Sequence, residues 1–156
     1  MYKRQVYDAA KQDLFYASKG HGAYRNNAKI RVSQSLDIQG ALLATGIPFS
    51  GKNLKQVSSF TNTMEKLLEL QTSGIRRLGA AALDLAYTAC GRYDGFWEAN
   101  LQSWDIAAGA LLVTEAGGVV TELNGDCDYL KSGNVLAANQ YVHKEMLNVT
   151  SQYYVN

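Results

Sequence analysis

The chain has little of what usually announces a function. In 156 residues there are two cysteines, one proline and two histidines, and 15 Lys and Arg nearly cancel 14 Asp and Glu. A net charge of +1 sets up no strong field towards nucleic acid or a membrane surface. No stretch reaches the ~18 consecutive apolar residues of a membrane span. The basic start, MYKRQ, is followed by no apolar core of a secretory signal. Cys90 and Cys127 form no Cys-x-x-Cys pair. Cys90 reads as a small core residue on a helix and Cys127 as a loop thiol, a usage that suits a reducing cytoplasm. His21 stands between two glycines, as a turn tip does, and His143 is the one other histidine. Neither makes a convincing Ser-His-Asp or Cys-His arrangement. Gly20-His21-Gly22 lacks the longer glycine pattern, and the helix after it, of a phosphate loop. Asn148-Val149-Thr150 matches a glycosylation sequon, a pattern short enough to arise by chance. There is no internal repeat and no low-complexity segment.

What is present is core. The chain is 47% hydrophobic and 19% charged, the make-up of a globular domain able to bury roughly 70% of its unfolded surface. Residues 6–8 and 14–17 read as short strands about a polar turn. Gly20-His21-Gly22 turns the chain into residues 23–25, and residues 30–33 alternate again, so the start predicts an antiparallel ribbon. A polar link over 33–39 places a boundary between a region 1–36 and an α/β region 37–156. In the second region residues 41–45 read as a buried strand ending at Gly46, with Pro48 and Gly51 in the loop and Ser50 or Asn53 as cap. Leu54, Val57, Phe60, Met64, Leu67 and Leu68 fall at steps of three and four, a helix to about Leu70. Strands are expected over 72–78, 95–98, 119–121 and 135–138, and helices over 80–90 and 141–149. Alternating strands and helices make this an α/β layer.

The most informative stretch is WDIAAGALLVTEAGG, residues 104–118. It is apolar nearly all round, as a buried helix is. Gly117 and Gly118 supply its C-terminal cap. Asp105 stands at its front, where Asp is an ordinary cap, and Glu98 precedes it in a polar loop. Two carboxylates at the mouth of a buried helix suit a cation site or acid–base chemistry. Gly79-Ala80-Ala81 opens another helix with residues too small to block a ligand. Free N–H groups and the helix dipole favour an anion there. Asp84, inside that helix, is expected to pair with Arg76 or Arg77.

Trp-Asp-x-Ala-Ala-Gly followed by Glu-Ala-Gly-Gly resembles the C-terminal signature of the inositol monophosphatases, Mg²⁺-dependent, lithium-sensitive phosphatases. GHGAYRNNAKIRVS looks like that family's central β region, so the resemblance runs from about Gln5 onward. It implies the C-terminal half of a layered α-β-α-β-α sandwich, the inositol monophosphatase and fructose-1,6-bisphosphatase-like fold. Residues 1–36 would be a remnant of the central antiparallel sheet. It implies Asp105 as the catalytic metal ligand, which also touches substrate. It implies Glu98 as the acceptor of inositol hydroxyls and Gly79, Ala80 and Ala81 as the lining of the substrate site. Ala80 stands where members often carry Ser or Thr, and Gln102 where some carry His. The family's Glu-Glu pair and Asp-Pro-x-Asp-Gly-Thr motif do not occur. The resemblance therefore implies the C-terminal part of a cytoplasmic, homodimeric phosphatase of inositol phosphate, inactive without the rest. The alternatives are a non-catalytic α/β binding module and a sibling phosphatase of sugar bisphosphates or phosphonucleotides.

Overall fold

The computed structural model describes residues 3–48 and 54–154. The chain begins as a four-stranded antiparallel ribbon: β1 (Lys3–Asp8), β2 (Asp13–Ser18), β3 (Gly22–Arg25) and β4 (Ala28–Lys29), paired in that order. Val6 lies opposite Phe15, and Tyr16 opposite Tyr24. Alternation puts Phe15, Ala17 and Ala23 on a fully buried face. Tyr16 and Tyr24 stack on the other face, their ring centroids 5.3 Å apart. The two-residue turn into β4 is Asn26-Asn27, both at positive φ, as a tight hairpin demands and Asn tolerates.

Residues 30–33 depart from the expected strand. The Ile30 N–H still bonds the Ala23 carbonyl, but the Val32 N–H bonds that of Ala116. The segment has left the ribbon to satisfy a carbonyl at the end of a helix.

Beyond the link lies a second sheet of five strands: β5 (Leu42–Thr45), β6 (Gly74–Arg76), β7 (Gly95–Glu98), β8 (Val119–Thr121) and β9 (Val135–Ala138). Their order is β6-β5-β7-β9-β8. β6, β5 and β7 run parallel, while β9 pairs antiparallel with both β7 and β8. One face packs on α1 (Leu54–Glu69) and α5 (Gln140–Thr150), through a core that includes Leu43, Leu67, Trp97, Leu136, Val142 and Met146. The other face packs on α2 (Ala81–Ala89) and α3 (Ser103–Glu115). That helix pair also receives the buried face of the ribbon, and one core joins Phe15, Ala44, Leu85, Phe96 and Leu112. The layers therefore run helix, sheet, helix, sheet. A single-turn helix, α4 (Tyr129–Ser132), was not expected from the sequence. The expected caps Ser50 and Asn53 lie outside the described residues.

Polar contacts fasten the ribbon to the helices. Glu115 of α3 accepts the backbone N–H groups of Gly20 and Gly22 at 2.7 and 2.8 Å. Those bonds hold its carboxyl below the usual range. The Tyr87 hydroxyl of α2 donates to Asp8 at the end of β1 and accepts from Lys11 at 2.6 Å. Arg92 donates to Asp13 at 2.9 Å.

Candidate active site

The three parallel strands end at one edge of the sheet, and the chain segments leaving them converge there. Gly46 comes directly after β5, Arg77 directly after β6, and Glu98 closes β7. Helices α2 and α3 begin at the same edge. Together they line a cleft of about 230 Å³ that also includes Ile47, Gly79, Ala80, Ala81, Leu101 and Asp105. Open α/β sheets place ligands beyond the carboxyl ends of parallel strands for this reason. All five residues named from the sequence, Gly79, Ala80, Ala81, Glu98 and Asp105, line this one cleft.

Each wall has a local cause. Gly79 has φ +90°, a left-handed conformation that costs glycine little. A Cβ there would stand 3.1 Å from Nη1 of Arg77, so the glycine also makes room for the guanidinium. Ala80 is the N-cap of α2 and makes no side-chain cap bond. No side-chain oxygen of its own covers the first N–H groups of that helix. Asp105 is not itself the cap of α3. Gln102 holds that position, and Asp105, three residues on, accepts the Gln102 backbone N–H at 3.0 Å. The carboxylate is thereby fixed at the positive end of the helix and half-exposed to the cleft.

Glu98 is packed closely by Gly46, where any side chain would run into its carboxylate. Burial, aided by the negative charges of Asp84 and Asp105, pushes its pKa up to about 7, against the pull of Arg77. Asp84 corrects an expectation. It is 1% exposed, and neither of its oxygens makes a hydrogen bond among the described residues. Arg76 donates instead to the neighbouring Ile75 carbonyl at 3.5 Å. Arg77 faces the cleft and lowers the Asp84 pKa only through its field. Burial outweighs the pull of the Ala80 backbone N–H and of the Arg77 charge, and Asp84 also rises to about 7.

Sequence reasoning missed Gly46, Ile47, Leu101 and Arg77 as cleft residues. The signal for Gly46 was a glycine ending a buried strand. Arg77 was hidden by its expected pairing with Asp84. Neither histidine lines the cleft. His21 lies at its turn with Nδ1 2.9 Å from the Lys19 carbonyl oxygen. His143 contacts Thr121 at 3.0 Å, and burial lowers its pKa to about 4.

As a cation site the cleft is partial. Asp105 offers a hard oxygen donor of the kind Mg²⁺ prefers. Among the described residues, however, no group of three or more His, Cys, Asp or Glu side chains is placed to hold an ion. The donor set has the right chemistry and too few members.

Comparisons with known proteins agree with this architecture. The model of the inositol monophosphatase family matches residues 5–155. A Nus factor SuhB from Pseudomonas aeruginosa is 47% identical over 142 residues, covering 91% of this chain and 52% of that protein. The Escherichia coli K12 Nus factor SuhB is 46% identical with the same coverage. The crystal structure of the extragenic suppressor protein suhB from Bartonella henselae superposes with a TM-score of 0.89 at 39% identity, covering 96% of this chain and 56% of that one. An inositol monophosphatase from Anabaena gives 0.83 at 36% identity, covering 95% and 60%. The chain thus spans about half the length of the curated relatives it matches. With the family's sequence pattern over nearly its whole length and the layered fold to go with it, the chain belongs to the inositol monophosphatase family.

Proposed function

We propose that this chain forms the substrate-binding half of a Mg²⁺-dependent phosphatase that hydrolyses inositol monophosphate. The observation that carries the reading is the meeting of Asp105, Glu98 and the Gly79–Ala80–Ala81 cradle in one cleft. Asp105 holds the metal, its carboxylate pinned by the Gln102 N–H. The opening of α2 receives the phosphate, because its residues are small and no side chain caps its first N–H groups. Glu98 accepts hydroxyls of the polyol. Mg²⁺, when bound, polarises the phosphate and activates water. Its remaining carboxylates come from the part of the family's chain that this sequence does not contain, so the 156 residues alone release no phosphate.

The test is a chimera in which this chain replaces the matching segment of the Pseudomonas relative. It should release phosphate from inositol 1-phosphate in Mg²⁺, and Asp105→Asn should abolish that release while leaving Tm nearly unchanged, since the Asn Oδ1 can still accept the Gln102 backbone N–H. A folded chimera without Mg²⁺-dependent release would remove the phosphatase reading.

A second reading rests on the relatives' designation as Nus factors: the chain serves as a factor without turnover. In that case Asp105→Asn would leave its role intact. A sibling activity on sugar bisphosphates or phosphonucleotides is separated from the inositol reading by comparing the chimera's kcat/KM on those esters with that on inositol 1-phosphate.

A further inference from the structure

We propose that Arg77 is a substrate-binding residue of this cleft and that its guanidinium takes phosphate oxygens of the substrate. The inference rests on the phosphatase reading and adds a contact that the sequence pattern had assigned elsewhere.

Position comes first. Arg77 comes directly after β6 and lines the cleft beside Gly79, Ala80 and Ala81, whereas Arg76 does not line it. The guanidinium lies beside Gly79, with Nη1 3.1 Å and Cζ 3.3 Å from where a Cβ would stand. The planar group occupies room that a residue without a Cβ leaves at the opening of α2. It adds a full positive charge to the wall that already carries the helix N-terminus.

The charge distribution gives the reason for such a group. Glu98 and Asp105 stand in the lining, and Asp84 is buried close enough to raise the pKa of Glu98. A phosphate dianion entering among these carboxylates is repelled by them, and positive charge on the protein side offsets that repulsion beyond what the Mg²⁺ that Asp105 would hold supplies. Among the described lining residues Arg77 is the cation. A guanidinium fork also matches two phosphate oxygens at once, which an ammonium cannot do. Glu98 and Asp105 thus form an acidic wall for metal and polyol, and Arg77 with the start of α2 forms an anion wall.

The experiment is a ³¹P NMR titration of the purified chain in Mg²⁺ with inorganic phosphate, inositol 1-phosphate and inositol 1,4-bisphosphate. Arg77 is exposed, so Arg77→Gln should fold as the parent does, which circular dichroism checks. Arg77→Gln should weaken phosphate binding ~10-fold or more, the usual scale for a lost charge-assisted contact. Arg77→Lys, keeping the charge and losing the fork, should fall between. Equal weakening on all three probes places Arg77 on the phosphate that every substrate carries. Weakening confined to the bisphosphate places it on a second phosphate, and both outcomes support the anion contact. Unchanged binding of all three by Arg77→Gln overturns it while leaving the phosphatase reading in place. A parent chain that binds none of the probes removes the inference and counts against the phosphate cradle as well.

Discussion

Glu98 shows how a single residue acquires its character from the residues around it. Its position at the end of β7 is set by strand length, its close packing by the missing side chain at Gly46, and its raised pKa by burial together with Asp84 and Asp105. A half-buried carboxylate facing a cleft serves recognition when it accepts hydroxyls, each bond to an ionised acceptor contributing ~1.5–3 kcal/mol. In the chimera, Glu98→Gln should lower kcat/KM for inositol 1-phosphate while an aryl phosphate without ring hydroxyls is hydrolysed nearly as before. The ratio of the two kcat/KM values is the measurement. Equal loss on both substrates would put Glu98 in the chemistry itself. Asp84 leads to a different prediction, because its cost falls on the fold. Its pKa rises on folding from 3.8 to about 7. Between those values the folded state binds more protons than the unfolded state, so stability falls as pH rises through that window. Asp84→Asn removes the titration and keeps the shape. Its Tm relative to the parent should therefore be higher at pH 8 than at pH 5, and thermal scans of both proteins at the two pH values decide it. A difference independent of pH would mean that Asp84 does not titrate in this window.

Among the elements, what the sequence disclosed depended on how local the signal was. α3 and α2 were legible because small and apolar residues run nearly all round them, and β5, β7, β8 and β9 because short apolar runs end at turns. The meeting of Asp105, Glu98 and residues 79–81 was not periodic information at all. It came from the family pattern, and the structure supplies its cause in the shared edge of three parallel strands. The failures share a reason too. Residues 30–33 alternate like a strand, but a tertiary bond from Val32 to Ala116 outcompetes the ribbon. The expected Asp84 pairing rested on proximity in sequence, and no periodicity reveals that the buried face of α2 turns Asp84 inward. The α2–α3 contact itself depends on Gly109, whose added Cβ would strike the Leu85 side chain. Leu85 is fully buried, so it has little room to yield. Gly109→Val should destabilise the chain by ~1–3 kcal/mol through overpacking, read as a lower midpoint in urea. Gly117→Ala, by contrast, meets nothing within 4 Å and strains only the backbone at φ +89°, so it should cost less.

At the scale of the whole molecule the ribbon is the exposed flank. Among the described residues β1 pairs with β2 alone, and a strand of six residues with an open side is a template for another strand. The outer face beside it carries Tyr7, 58% exposed, and Leu14, 37% exposed. Under its edge runs an open groove of about 400 Å³ with Ala107, Ala110, Leu111 and Leu130 in its walls and Arg4 and Lys19 also among its lining. A strand added to β1 would lay its inward side chains towards that apolar surface, gaining both backbone bonds and burial. Lys3 and Arg4 at one end are the charges that commonly blunt such an edge, but Val6 and Tyr7 leave the other end apolar. The opposite edge, β4, is two residues long and offers little to pair with. The purified 156-residue chain should therefore self-associate increasingly with concentration in size-exclusion chromatography with light scattering. In the associated form, hydrogen exchange should slow at β1 and not at β4. A compact monomer over a wide concentration range would show that the open side of β1 is adequately protected by its own charges. Protection at β4 instead would place the association on the other edge.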